Sequence, residues 1–153
     1  ELVTFEGFTP HKVPCVIECL TENRNRTSAD MRAMFRKGTL AATGAVTYLF
    51  DHVGMVEGMP SKDGVDLEEV AIEVGAQEVE KSEDGARFIC DKADLIAVTK
   101  ALEALRWKVS ASEFAYVPKD PMEVSDAAKK DIVEFLNELD DNDDVQRIFT
   151  AMK

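Results

Sequence analysis

Histidine, cysteine and tryptophan are scarce in this chain: two, three and one among 153 residues. His11 and His52 form no H-E-x-x-H spacing and no C-x-x-C is present, so a zinc centre has no ligand set to build on. The eight glycines make neither a dinucleotide fingerprint nor a phosphate-binding loop. No apolar run approaches the roughly 18 residues of a membrane span, so no membrane contact is expected. Basic residues are also in deficit, with 18 Lys and Arg against 30 Asp and Glu and a net charge of -12. Carboxylates are plentiful, yet none pair as acid and base. No catalytic residue, metal, cofactor or small-molecule substrate is therefore expected.

The residues that are present describe a folded chain. A hydrophobic fraction of 45% supports a packed core, and the length suits one larger domain or two small ones. The chain begins at Glu1 with the charged, strand-like "ELVTFEGF", so a secretory signal is not expected and further sequence upstream is. Cys15, Cys19 and Cys90 are an odd, sparse set, which suggests free thiols in a reducing compartment. Cys15, Ile17 and Cys19 share one face of a strand, as small core residues do. "DDNDD" (140–144) lacks the glycine and glutamate of a calcium loop. It reads as a solvated acidic turn or a patch for a basic partner. Met31, Met34 and Phe35 have core spacing, and Trp107 lacks the aromatic neighbours of a base-stacking platform.

Periodicity orders the elements. "VPCVIECLT" (13–21) is a strand with Pro14 at an edge or a start. "TSAD" has capping-box spacing, which predicts a helix with Thr27 as N-cap, running to about Lys37 and ended by Gly38. "AVTYLF" (45–50) then predicts a strand and completes β–α–β. A second run follows: strand 53–59, a helix capped by Asp66 and closed by Gly75, strands "AQEVEK" and "ARFICD" joined by the turn "SEDG", a helix from Asp91, and strand 108–117. That order is β-α-β-β-α-β, the ferredoxin-like arrangement. A helix capped by Ser125, with Ile132, Val133, Leu136 and Leu139 inward, and a strand over 144–152 remain. They are expected to return to the first unit, beside 13–21 and 45–50. The predicted class is α+β: two small α/β-sandwich domains, one over 1–52 plus 120–153, the other a ferredoxin-like insert over 53–119.

Charge is uneven along this order. Residues 1–52 hold six acidic and six basic side chains, residues 53–118 hold 14 and 7, and residues 119–153 hold 10 and 5. An anion site is expected in the neutral first third. There "TENRNRT" sets Arg24 and Arg26 among Asn23, Asn25 and Thr27 at a helix entrance, where the dipole and free N–H groups favour phosphate. The asparagine amides can donate to phosphates or base edges. Arg32, Arg36 and Lys37 continue the strip. A second reading stays open: the asparagines serve turn geometry, and the arginines pair with Glu22 or the acidic C-terminal segment.

Five segments together resemble the YebC/PmpR family, which includes mitochondrial translational activators of cytochrome c oxidase. They are "FEGF" (5–8), "VIECLTENRNRTSADMR" (16–32), "TGAVTYLFD" (43–51), "EVAIEVGAQEVE" (69–80) and "LDDNDDVQRIF" (139–149). The resemblance covers the chain in the family's order. It implies the second and third of three domains, the third inserted in the second, without the family's N-terminal basic helical domain. Two loops depart from the family pattern: "TPHKVP" replaces a glycine-rich "GPGG", and "FRKGTLAATG" is shortened. The resemblance implies a non-enzymatic, nucleic-acid-binding regulator of expression, acting through DNA as a transcriptional regulator or through ribosomal RNA and the ribosome in translation, where members relieve stalling on proline-rich stretches. Translation is favoured, because no recognition-helix or zinc-finger pattern is visible. The implied location is the bacterial cytoplasm, or the mitochondrial matrix in a eukaryote. The alternative is a protein-interaction module that docks a basic partner through its acidic insert.

Overall fold

Alternating apolar residues build the first sheet of the computed structural model, which describes residues 1–83 and 85–153. Strands β1 (Leu2–Phe8) and β2 (Pro14–Leu20) form an antiparallel hairpin with Phe5 opposite Ile17. Cys15, Ile17 and Cys19 point to one side, as the period of two requires, and are fully buried. Helix α1 (Arg24–Met34) follows, then the short strand β3 (Thr39–Ala41), which pairs with β1. The last elements, α4 (Asp126–Asp140) and β8 (Val145–Thr150), complete this unit, with β8 antiparallel to β2. The sheet order is β3-β1-β2-β8. Met31 and Phe35 from the α1 region meet Phe135 and Leu139 of α4 over the buried cysteines, with Phe35 edge-on to Phe135 at 5.1 Å.

The middle of the chain makes a second four-stranded sheet. Its elements are β4 (Phe50–Met59), α2 (Leu67–Val74), β5 (Glu78–Lys81), β6 (Ala86–Cys90), α3 (Leu95–Ala104) and β7 (Lys108–Pro118). The sheet order is β5-β6-β4-β7. Asp66 caps α2 through the N–H groups of Glu68 and Glu69, and Gly75 closes it in the left-handed region at φ 86°. Val70, Val74, Val98 and Leu102 pack on Phe88, which meets Trp107 edge-on at 5.3 Å. Trp107 is thus a core residue where α3 leads into β7. The chain divides into two compact units, 1–51 with 116–153, and 52–115. Among the described residues no helix is long and apolar enough to cross a membrane.

Several local expectations are corrected. Residues 45–50 do not form a strand: turns and a short 3-10 segment (Thr47–Leu49) lead into β4, which starts at Phe50. The cause is Glu6. Its buried carboxylate accepts the N–H of Val46 at 2.7 Å and of Thr47 at 2.9 Å, donors that a strand ladder would have used. Helix α1 starts earlier than "TSAD" implies, because Asn23 is the cap and accepts from the Arg26 N–H at 3.1 Å. The helix also stops at Met34. Gly38 is not its left-handed terminator; it is small because a Cβ there would overlap the Phe8 carbonyl oxygen. On α4 Ile132, Phe135 and Leu139 are buried and Leu136 packs half-buried beside them, whereas Val133 is exposed. Within "SEDG", Asp84 lies outside the described residues.

Candidate nucleic-acid interface

The expected anion site sits on α1, and its residues divide by what they touch. Asn23 extends before the helix, and its side-chain oxygen is spent on the cap. Arg24, Asn25 and Arg26 are therefore the first turn of the helix rather than its approach. The N–H groups of Arg24 and Asn25 bond to nothing among the described residues, so two donors remain at the positive end of the dipole. Arg24 lies 3.8 Å from Glu1, with both side chains largely exposed, a contact worth little.

Arg26 and Thr27 have a different role. One Arg26 nitrogen donates to both carboxylate oxygens of Asp144, at 3.0 and 3.2 Å. The Thr27 hydroxyl is fully buried and lies 2.9 Å from Asp144 Oδ2 and 2.7 Å from the Thr21 hydroxyl. Asp144 is fixed in turn: its N–H donates to the Asn142 side chain at 2.9 Å, and its carbonyl accepts the Leu20 N–H at 2.8 Å. The bonds from Thr27 and then Arg26 hold the Asp144 carboxyl below the usual aspartate range. Thus "TENRNRT" and "DDNDDVQ", far apart in sequence, meet at one point. "DDNDD" is not simply a solvated turn, since Asp144 is an internal partner of the α1 entrance.

The remaining cations lie along and beyond the helix. Arg32 and Arg36 are exposed and pair with no acid among the described residues. Lys37 faces α4, 3.8 Å from Glu138 and beside Asp131 and Glu134. The fold also changes the charge balance that the linear sequence suggested. Closing 116–153 onto 1–51 gives that unit 16 acidic and 11 basic side chains, so the cationic strip is a local feature of a net acidic body.

Two features escaped sequence reasoning. Glu6, inside "FEGF", binds the start of the "TGAVTYLFD" turn. Burial alone would push its carboxyl up, but N–H bonds from Val46, Gly44 and Thr47 outweigh this and hold it below the usual range. A lone acid set between Phe5 and Gly7 was the available signal. The second is the β1–β2 loop, where His11 and Lys12 adopt φ of 67° and 62°. These are left-handed angles that favour glycine, held here by two bulky residues at about 1–2 kcal/mol per residue. His11 is held by Asp131 at 2.9 Å. Among the described residues no three His, Cys, Asp or Glu side chains converge on a metal-sized site.

Comparison with known proteins places these features in a family. The pattern described as "TACO1/YebC second and third domain" matches residues 1–152. A "Probable transcriptional regulatory protein" of Pseudomonas fluorescens Pf-5 is 46% identical over 152 residues, covering 98% of this chain and 65% of the relative. A protein of the same description from Bdellovibrio bacteriovorus is 43% identical over 157 residues, covering 99% and 66%. The crystal structure of a conserved hypothetical protein, Aq1575, from Aquifex aeolicus superposes with a TM-score of 0.91 at 31% identity, over 100% of this chain and 65% of that one. The α+β fold with two four-stranded antiparallel sheets is therefore shared with a solved relative. The chain spans about two thirds of the length of these relatives, and it belongs to the TACO1/YebC family, of which it carries the second and third domains.

Proposed function

We propose that this chain is the body of a non-enzymatic nucleic-acid-binding regulator of gene expression, acting as a transcriptional regulator, a ribosome-associated translation factor or both, with translation favoured. The supporting observation is the α1 surface. Arg24 stands exposed beside two unspent helix N–H groups, and Arg32 and Arg36 stand exposed toward and beyond the other end of the helix, while Asn23, Arg26 and Thr27 fix the first turn. Asn25 adds an exposed amide, and Lys37 carries the strip to its end. Phosphate oxygens match these donors. The relatives' names point to transcription. An RNA or ribosomal target fits better, because a single short cationic strip on an acidic body suits one strand or an rRNA surface more than a duplex groove. No membrane or small-molecule partner enters this reading, and the bacterial cytoplasm, or the mitochondrial matrix of a eukaryote, is its proposed setting.

The deciding experiment is co-sedimentation with ribosomes at increasing salt, with duplex DNA and single-stranded RNA as competitors. Retention that RNA displaces and duplex DNA does not supports the translational mode. Displacement by duplex DNA alone supports the transcriptional one, and no retention with no binding to either nucleic acid refutes the reading.

We also propose that the insert (53–119 from sequence, 52–115 as the compact unit) is an autonomous ferredoxin-like domain with a helix-on-sheet core, set within a discontinuous α/β-sandwich domain. Expressed alone, it should unfold cooperatively with denaturant. A disordered circular-dichroism spectrum for the isolated segment would remove this assignment.

A further inference from the structure

The α1 surface makes no use of "EVAIEVGAQEVE", the segment that forms α2 and reaches β5. Helix α2 buries Val70, Ala71 and Val74 and turns Ile72 outward, leaving it 80% exposed. Glu68 and Glu69 lie one turn before Ile72 on the same face, and Glu73 lies beside it. All three carboxylates are exposed, and none has an ion-pair partner among the described residues. The helix contains no lysine or arginine.

The topology sets a second exposed apolar residue at the same level of the neighbouring helix. Both β4 and β5 are antiparallel to β6, so β4 and β5 are parallel and α2 crosses back against them. Helix α3 follows β6 and therefore runs opposite to α2, against which it packs. The C-terminal half of α2 is thus level with the start of α3, where Ile96 is 69% exposed and Ala97 is exposed too. A single exposed isoleucine needs no explanation. Two on adjacent helices, with unpaired glutamates on one side, form an apolar anchor point with a charged rim, the usual anatomy of a docking surface.

We propose that the outer face of α2 and α3 docks a basic protein segment, which sets apolar side chains over Ile72 and Ile96 and lysines or arginines against Glu68, Glu69 and Glu73. Charge complementarity selects this occupant. Residues 52–115 hold 14 acidic and 7 basic side chains, which would repel a phosphate backbone and a second acidic copy of this chain. The proposal does not rest on nucleic-acid binding at α1, so either can fail alone.

The test uses the full chain and a fluorescent 18-residue peptide with leucines at helical spacing and lysines elsewhere, with 18-residue polylysine as the charge-only probe. The leucine–lysine peptide should bind at least about tenfold more tightly than polylysine. Ile72→Ala with Ile96→Ala should erase that difference. The triple change Glu68→Gln, Glu69→Gln and Glu73→Gln should weaken both probes and flatten their salt dependence. Glu78→Gln with Glu80→Gln, on β5, should leave both nearly unchanged. Melting curves confirm that each variant is folded. The proposal fails if the isoleucine changes have no effect, or if the β5 changes weaken binding as much as the α2 changes. It also fails if single-stranded RNA competes for this face, or if sedimentation shows that Ile72 and Ile96 join two copies of the chain.

Discussion

The buried hydroxyl of Thr27 lies 2.9 Å from the Asp144 carboxylate, tying the first turn of α1 to the foot of β8 across 117 residues of sequence. One hydroxyl hydrogen can serve only one acceptor, and the carboxylate is the strongest within reach. The Thr21 hydroxyl oxygen, 2.7 Å away, is the competing acceptor beside it. Thr27→Val keeps the shape and removes every one of these bonds. It should lower the unfolding free energy by about 1–3 kcal/mol, the cost of stranding buried polar partners. Thr27→Ser should retain most of the stability. Urea midpoints for the two variants check this, and an unchanged midpoint for the valine would show that the network carries no stability.

Glu6 predicts a pH effect as well as a mutational one. Glu6→Ala strands the buried Val46 N–H and should cost about 1–3 kcal/mol. The carboxyls of both Glu6 and Asp144 are held below their ordinary range when folded. The unfolded chain therefore binds protons first as pH falls. The stability these groups contribute is complete above the unfolded carboxylate range of about 4 and is lost as pH drops through the lower folded values. The share of the melting temperature that these two carboxyls support should hold down to about pH 5 and fall steeply below 4. That fall should be shallower in Glu6→Gln, and a slope identical to the parent protein's would refute the assignment.

The three thiols are all buried. Burial pushes Cys15 up to about 12, and burial with the nearby Asp144 charge pushes Cys19 up to about 11. Cys90 is also raised, by burial and then by Asp94 and Asp91. Thiolate is the reactive form, so the native protein should resist a thiol-titrating reagent at neutral pH and release all three thiols in denaturant. Cys15→Ala or Cys19→Ala should cost about 1–3 kcal/mol, as small core truncations do. Rapid native labelling would contradict the packing, and stoichiometric zinc in the purified protein would overturn the structural reading of these cysteines.

What was legible in sequence follows from how local the determining contacts are. Asp66, Gly75 and Ser125 were readable because a cap is settled within four residues. The order of elements from 50 to 118 was readable because period and turn signals agree there. Residues 45–50 have a strand's composition, yet a carboxylate 40 positions upstream takes their donors. The start of α1 was misplaced for a similar reason. Thr27 fits a capping box locally, but its hydroxyl is claimed by Thr21 and Asp144, which leaves Asn23 as the cap. The α1 cations were visible as a cluster. Their division into paired and unpaired members was not, because Asp144 reaches them only through the pairing of β8 with β2.

That division gives the sharpest test of the α1 surface. Arg24 is exposed and, among the described residues, makes only a long contact to Glu1, whereas Arg26 donates twice to Asp144. Arg24→Gln should weaken binding to a single-stranded RNA and leave the melting temperature unchanged. One phosphate contact on a single strand contributes about 0.7 to the slope of log affinity against log salt, so the slope should become shallower by roughly that amount. Arg32→Gln with Arg36→Gln should remove about twice as much. Arg26→Gln should do the reverse of Arg24→Gln: the melting temperature falls because Asp144 loses its cation, while the slope changes little. Lys81→Gln with Lys92→Gln, in the acidic unit, should leave RNA affinity nearly intact. If Arg24→Gln and the Lys81/Lys92 variant shift the slope equally, the attraction is diffuse and α1 is not the contact surface. If Arg24→Gln lowers the melting temperature and leaves the slope alone, its pairing with Glu1 is structural, and the phosphate assignment of that residue is wrong.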